Sequence, residues 1–156
     1  RFDSIQGAVA VFCYKAIMGQ PIQIWGDGSI KRDFIYVSDV IDAMIKVIDC
    51  PISGCEVNIG SGKAISINGI VDNIEGLLGE KVDRQYSKAR MFDVPISTLD
   101  ISFAKEKLNW EPKVNIRDGI DRTIRWIKNW ILRHNRHKIL DKGKECTPQN
   151  QKTFQL

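Results

Sequence analysis

The chain has 156 residues, of which 43% are hydrophobic and 27% are charged, as is typical of one soluble globular domain. Its net charge of +4 comes from the last segment, because residues 1–130 hold equal numbers of basic and acidic side chains, and this argues against a folded nucleic-acid-binding face. No apolar run approaches the roughly 20 residues that span a bilayer. The N-terminus lacks a signal-peptide pattern, so a cytoplasmic protein without a membrane segment is predicted.

Two helices and two strands are predicted in the first third of the chain. Residues 4–18 carry apolar side chains at helical spacing before a glycine, and a strand follows over 21–25. The Gly-rich turn GDGS leads into a second predicted strand, DFIYV at 33–37. Ser38 is expected to cap a helix that reaches Ile48.

Shorter elements follow in the rest of the chain. They are a strand over 55–60, a helix capped by Ser66 and ended by Gly79, a strand over 82–86, a brief helix capped by Asp100 and reaching Leu108, and a helix over 117–132. Short strands that alternate with amphipathic helices indicate an α/β architecture. Because the periodicity is lost beyond residue 132, the sequence predicts one folded domain over 1–132 and a flexible basic tail over 133–156.

The cysteines give no support for a metal or redox site. They form no C-x-x-C pair, and the two histidines do not cluster with them. Zinc sites and dithiol motifs need such clustering. The pattern therefore predicts reduced thiols and no bound metal. The four cysteines are Cys13, Cys50, Cys55 and Cys146.

The segment NIGSGKAIS resembles the end of a phosphate-binding loop, but its spacing does not fit one. A Walker A motif needs a glycine where Val57 stands and a Ser or Thr where Ala64 stands. The dinucleotide fingerprint needs a glycine at the position of Ile65. A strand-to-helix turn that requires small residues is the favoured interpretation.

Arg32 follows the Gly-rich turn and precedes an apolar run. A guanidinium is a planar fork of donors that suits two oxygens of a phosphate or carboxylate. The alternative is a surface ion pair with Asp33 or another acid, and such pairs are common and weak. The residues alone favour the ion pair.

A second basic and acidic pair lies in KARMFDVP, residues 88–95. Arg90 can hold a phosphate, and Asp93 can accept hydrogen bonds from the vicinal hydroxyls of a ribose. These residues alone favour a polar loop. The sequence offers no nucleophile with a base beside it, and His134 and His137 both lie in the predicted tail, so no catalytic residue is assigned.

Taken together and in order, these motifs are more specific than any one of them. GQPIQIWGDGS, RDFIYVSDV, VNIGSGK, RMFDVP, LDISFAK and GIDRTIRW follow one another over residues 1–130. This order resembles the C-terminal half of the NAD-dependent nucleotide-sugar epimerases and dehydratases, which are extended short-chain dehydrogenase/reductases, and UDP-glucose 4-epimerase-like members in particular. The resemblance implies the α/β substrate-binding portion of such an enzyme, without its Rossmann N-terminal half.

The resemblance also implies roles for particular residues. Arg32 and Arg90 take the positions of arginines that contact the diphosphate, which reverses the preference for an ion pair and a polar loop. Asp93 takes the position of the acid that binds ribose hydroxyls. The strand before the turn faces the base through its backbone, which implies roles for Gln23 and Trp25.

The catalytic chemistry of the family is not found in this chain. The family uses a Tyr-x-x-x-Lys pair and a Gly-rich dinucleotide turn, whereas Tyr36 and Tyr86 are followed four positions on by Val40 and Arg90. The resemblance therefore implies that NAD is bound by a missing Rossmann half, that the complete enzyme is a homodimer, and that this chain alone is inactive and holds no cofactor.

Three functions remain open from the sequence. The first is the UDP-sugar-binding part of an NAD-dependent epimerase, which oxidises the sugar transiently. The second is a non-catalytic nucleotide-sugar-binding or partner subunit. The third is the corresponding part of a dTDP-glucose 4,6-dehydratase-like lyase.

Overall fold

The computed structural model describes residues 7–48, 50 and 54–144, and their side chains as far as His134. These residues form helices and short strands that alternate along the chain. The helices are α1 Ala8–Ile17, α2 Val37–Ile48, α3 Ile67–Leu78, α4 Ser102–Leu108 and α5 Ile116–Lys144. The strands are β1 Ile22–Trp25, β2 Lys31–Asp33, β3 Ala64–Ser66, β4 Arg84–Ser87 and β5 Ile96–Ser97. In this part of the chain, no helix has the length and apolar character needed to cross a membrane.

The strands form two small sheets. β1 pairs with β4 in parallel, so that Ile22 lies opposite Arg84 and Trp25 lies opposite Ser87. β2 is the middle strand of the second sheet, antiparallel to β3 and parallel to β5. Arg32 is the central residue of β2, so strands on both sides fix its backbone.

The main core lies between β1 and helices α1, α3 and α5. Successive side chains of a strand point to opposite faces, and in β1 the buried residues are Ile22 and Ile24. The other face of β1 presents Gln23 and Trp25. The buried residues of this core are Phe12, Cys13, Ile22, Ile24, Ile70, Val71, Ile74, Ile120, Ile124 and Ile127.

Helix α3 begins and ends where the sequence predicts. The Ser66 hydroxyl accepts a hydrogen bond from the Gly69 N–H at 3.0 Å, and Gly79 ends the helix with φ of 76°. Near the end of α3, the buried carboxylate of Glu75 accepts hydrogen bonds from Lys81 and the Val82 N–H, and Arg84 of β4 lies 2.9 Å away. These contacts fasten β4, and therefore β1, to α3.

A smaller core joins α2 to α4. It consists of Ala43, Ala104, Leu108 and Trp110. The carboxylate of Asp39, also buried, accepts hydrogen bonds from the N–H groups of Lys113 and Val114. Most other apolar side chains of α2 are exposed, namely Val37, Ile41, Met44, Ile45, Val47 and Ile48.

Several predicted elements are confirmed. The first helix runs from Ala8 to Ile17, and the strand expected over 21–25 runs from Ile22 to Trp25. The brief helix that ends at Leu108 is also present, but it begins at Ser102 and its N-cap residue is Ile101, so Asp100 as its cap is wrong. Residues 4–6 of the predicted first helix lie outside the described residues. The strand expected over 82–86 runs from Arg84 to Ser87.

The second strand was predicted in the wrong place. The ladder involves Lys31–Asp33, and residues 34–36 form no strand. The apolar run DFIYV suggested a strand, but only its first residue, Asp33, belongs to β2, because β3 and β5 pair with no residue beyond Asp33. The helix begins at Val37, so Ser38 lies inside its first turn and is not the cap.

Two more predictions differ from the structure. The segment 55–60 forms no strand, because none of the described strands pairs with it. The last helix continues to Lys144, whereas the sequence placed its end at residue 132. The division into a domain over 1–132 and a tail stays a prediction.

Candidate functional site

The five residues singled out as binding residues line one cavity. Its volume is about 790 Å³, which falls in the range of small-molecule sites. Its walls come from α1, β1, β2, the start of α3 and the loop between β4 and β5. The five predicted residues in its lining are Gln23, Trp25, Arg32, Arg90 and Asp93.

Arg32 is held at the cavity wall by its own hydrogen bonds. Its Nη1 donates to the carbonyl oxygen of Val94 at 2.6 Å and to that of Lys31 at 2.9 Å. Its Nη2 lies 3.7 Å from a carboxylate oxygen of Asp93. Both side chains are half-buried, so the guanidinium has a fixed orientation.

Asp33 is not the partner of Arg32. Its carboxylate accepts hydrogen bonds from the N–H groups of Ser61 at 2.7 Å, Gly62 at 3.0 Å and Leu99 at 3.2 Å, and from the Ser61 hydroxyl. Of the alternative, an ion pair of Arg32 with Asp33 or another acid, the pairing with Asp33 is therefore wrong, and the acid near Arg32 is Asp93. The donors of the GSGK loop already bind the Asp33 carboxylate, which agrees with a structural turn.

Arg90 is held by an aromatic ring. Its Cζ lies 3.6 Å from the centroid of the Trp25 ring, and 47% of the Trp25 surface is exposed. In the described part of the chain, no side chain or carbonyl oxygen forms a hydrogen bond or ion pair with the Arg90 guanidinium. The two arginines thus line the same cavity, but backbone carbonyl oxygens hold Arg32, whereas an aromatic ring holds Arg90.

The Gly-rich turn is fastened to the start of α3 by Asn68. The Asn68 side chain donates to the Asp27 carbonyl at 2.9 Å, and the Asn68 N–H donates to the Gly28 carbonyl at 3.1 Å. The Tyr86 hydroxyl donates to the Asn68 amide oxygen. Gly28 has φ of 75°, and a Cβ there would lie 2.3 Å from that oxygen. The position therefore requires glycine for its conformation and for space.

Asp27 in the same turn also has a local support. The Ser29 hydroxyl and the Ser29 N–H donate to its carboxylate at 2.6 and 2.9 Å. These two bonds hold the pKa of Asp27 below its usual range. The turn is consequently fixed from within as well as through Asn68.

One edge of β1 offers hydrogen-bonding groups to the cavity. The N–H groups of Ile22 and Gly26 donate to carbonyl oxygens of Asp83 and Ser87, on the β4 side. Backbone groups of alternate strand residues point to opposite edges. The N–H and C=O groups of Gln23 and Trp25 therefore face away from β4, and both residues line the cavity.

Sequence reasoning missed part of the lining. Tyr14 and Lys15 of α1 and Gln20 after it also face the cavity. The helical pattern of α1 identified its core face, but nothing in the sequence said what the opposite face contacts. Asn68 was missed because its partners lie 18 and 41 positions away.

The arrangement is suited to binding. Two guanidinium groups next to one carboxylate match a ligand that combines anionic oxygens with hydroxyls. Among the described residues, no three His, Cys, Asp or Glu side chains are close enough together to hold a metal ion. Cys13 is buried in the core, and burial raises the pKa of its thiol to about 12, so it is protonated at neutral pH.

Comparison with known proteins identifies the family. The family model described as GDP-mannose 4,6 dehydratase matches residues 5–123. The UDP-glucuronate 4-epimerase of Thermodesulfobacterium geofontis is 42% identical over 113 residues, which cover 72% of this chain and 35% of that protein. The UDP-glucose 4-epimerase of Mycolicibacterium smegmatis is 32% identical over 123 residues, 79% of this chain and 39% of its own length.

Solved structures agree with these relatives. The UDP-glucose 4-epimerase of Thermotoga maritima, crystallised with UDP-glucose, has a TM-score of 0.80 and 31% identity, and the match covers 84% of this chain and 42% of that one. The UDP-glucuronic acid 4-epimerase of Bacillus cereus, in complex with UDP-glucuronic acid and NAD, has a TM-score of 0.76 and 27% identity, with 80% and 40% covered. The chain thus spans about two fifths of the length of these proteins.

These matches confirm the predicted fold, an α/β C-terminal portion of an extended short-chain dehydrogenase/reductase. The chain therefore belongs to the nucleotide-sugar epimerases and dehydratases of that family.

Proposed function

We propose that this chain is the UDP-sugar-binding part of an NAD-dependent nucleotide-sugar 4-epimerase. The observation that carries the proposal is the convergence of Gln23, Trp25, Arg32, Arg90 and Asp93 on one cavity. They come from β1, β2 and the loop before β5, which are separated by long stretches of sequence.

Each group in the cavity has a proposed partner on the ligand. The guanidinium groups of Arg32 and Arg90 bind the diphosphate, because planar forks of donors match its oxygens. Asp93 accepts hydrogen bonds from the ribose hydroxyls. Asp93 lies near Arg32, with a separation of 3.7 Å, so ribose and phosphate can be bound side by side.

The edge of β1 that faces away from β4 is suited to binding a uracil-like base. Gln23 and Trp25 present backbone N–H and C=O groups on this edge. An imide edge, with a donor between two acceptors, is complementary to such alternating groups. This proposal agrees with the UDP-sugars named for the related crystal structures.

The oxidation and reduction of the sugar belong to the complete enzyme. NAD supplies the hydride chemistry when it is bound there. The residues of this chain bind and orient the nucleotide end of the substrate, so we expect the chain alone to have no epimerase activity. The cytoplasmic location and the homodimer stay predictions.

A second candidate is a non-catalytic subunit that binds the same ligand and docks on a separate chain. The exposed apolar side of α2 favours a docking role, because Ile41, Met44 and Ile48 are each more than half exposed. The dehydratase name of the family model keeps a 4,6-dehydratase as a third candidate. All three require the same nucleotide-sugar site.

Titration calorimetry of UDP-glucose into the full chain tests the site. Arg32→Ala should weaken binding at least about tenfold, since a hydrogen bond to a charged group contributes about 1.5–3 kcal/mol. Lys31→Ala is the matched control, because Lys31 is the adjacent residue of β2, is exposed and points to the opposite face. Equal affinities of the two variants would overturn the site assignment.

A further inference from the structure

Arg90 and Arg32 are held at the cavity by different kinds of contact. Arg32 uses Nη1 to bind two backbone carbonyls. Arg90 rests on a ring, and among the described residues none accepts a hydrogen bond from its guanidinium. Within this part of the chain, its N–H donors therefore have no acceptor and can face a ligand.

The distance defines how the guanidinium meets the ring. A separation of 3.6 Å between Cζ of Arg90 and the centroid of Trp25 is a van der Waals contact. An N–H directed into the ring would need a longer separation, so the guanidinium rests on its face. Donors of a planar group held in this way point sideways and stay available, and the ring attracts the cation.

The backbone brings the two side chains together. Trp25 is the last residue of β1, opposite Ser87 at the end of β4, so the ring stands where the loop to Arg90 begins. The next residue, Gly26, has φ of 71°, and a Cβ there would lie 3.3 Å from the Cβ of Ala89. Glycine at this position lets the loop approach the end of β1.

We propose that Trp25 is a positioning residue for Arg90. Its indole holds the guanidinium over the ring face and directs the donors toward the diphosphate. This inference rests on the proposed function. One consequence is that the ring face in contact with Arg90 is not a stacking surface for the base, which is recognised by the backbone edge of β1.

Ligands that carry separate parts of the nucleotide test the proposal. UDP, uridine and inorganic pyrophosphate are titrated into the full chain and followed by NMR chemical shifts, which report weak affinities as well as strong ones. We expect Trp25→Ala to weaken UDP and pyrophosphate binding about two- to fivefold, in line with an exposed cation–π contact. Uridine binding should not change.

Two further variants separate positioning from a general structural role. Trp25→Phe retains a ring and should recover most of the UDP affinity. In an Arg90→Ala background, Trp25→Ala should have no further effect on UDP binding, because the group it positions is gone. Circular dichroism checks that each variant is folded.

The outcomes of these titrations distinguish a failure of the inference from a failure of the proposed function. A loss of uridine affinity equal to that of UDP in Trp25→Ala would show that the ring stacks on the base, and would overturn this inference alone. Independent, additive effects of Trp25→Ala and Arg90→Ala would also overturn it. UDP that fails to bind the unaltered chain, or binds without regard to Arg32 and Arg90, would overturn the proposed function together with the inference.

Discussion

Helices α1, α3 and α5 bury apolar side chains against β1, whereas α2 leaves most of its apolar side chains in solvent. Ile22, Ile70 and Ile124 are at most 4% exposed, but Ile41 and Met44 of α2 are 51% and 62% exposed. Burial of apolar side chains is the main favourable contribution to folding. The core around β1 therefore stabilises the region that carries the cavity, while the described residues leave much of the apolar side of α2 exposed.

This difference in burial distinguishes the region that forms the cavity from the region around α2. The cavity depends on strands and turns that are fixed by the main core, so we expect it to form within this chain. The chain covers about two fifths of the length of its relatives, and α2 contributes none of the residues that line the cavity. Substitutions placed in the two regions can test this contrast.

The largest expected effect comes from removing core volume. Ile74→Ala should lower the free energy of unfolding by about 2–5 kcal/mol, because Ile74 is fully buried in the main core. Ile41→Ala on the exposed side of α2 should change it by less than about 0.5 kcal/mol. Urea denaturation measures both. Similar losses at the two positions would remove the contrast between the regions.

A smaller effect on stability is expected when alanine replaces either of two glycines with positive φ. Gly28 and Gly54 have φ of 75° and 70°, but only at Gly28 would a Cβ clash, with Asn68. Gly28→Ala should cost about 1–3 kcal/mol more than Gly54→Ala, and it should also weaken UDP binding. Both are measured by urea denaturation and by titration of UDP. If Gly54→Ala costs as much, the backbone conformation alone explains the loss.

The smallest expected effect is the loss of stability at low pH that results from protonation of Glu75. Burial raises the pKa of Glu75, but hydrogen bonds from Lys81, the Val82 N–H and Arg84 outweigh it and lower the pKa from 4.5 to about 2. A lowered carboxylate pKa contributes stability that is complete above pH 4.5 and is lost as the pH falls toward 2. We expect roughly 1 kcal/mol, since Lys81 is solvent-exposed.

The matched variant for this effect is Glu75→Gln. Its stability between pH 4.5 and 2 should fall by less than that of the unaltered chain, as measured by urea denaturation at several pH values. Parallel curves for the two proteins would show that Glu75 does not link α3 to β4 in the way described.

The local features of the fold were predictable, whereas the pairings were not. The helical spacing before Gly79 and the cap at Ser66 depend on neighbouring residues, and both predictions are confirmed. The position of β2 depends on β3 and β5, which lie far away in sequence. A run such as DFIYV therefore suggested a strand that starts two residues too late and ends four residues too late.

The same limit applies to the site. The order of motifs identified the five residues that line the cavity, and their binding roles stay predictions. It did not identify the contact of Arg90 with Trp25 or the partners of Asp33, because these contacts join residues 28 to 66 positions apart. Such contacts follow from tertiary packing, and local sequence patterns do not encode them.

In β2, two neighbouring residues connect ligand binding with folding: Arg32 faces the ligand cavity, and Asp33 binds a distant loop. Neighbouring strand residues point to opposite faces, so Arg32 faces the cavity while Asp33 binds the loop at Ser61 and Gly62. Folding of that loop therefore immobilises the backbone that carries Arg32. Most of the conformational entropy of orienting this guanidinium is lost when the chain folds, and little remains to be lost when a ligand binds.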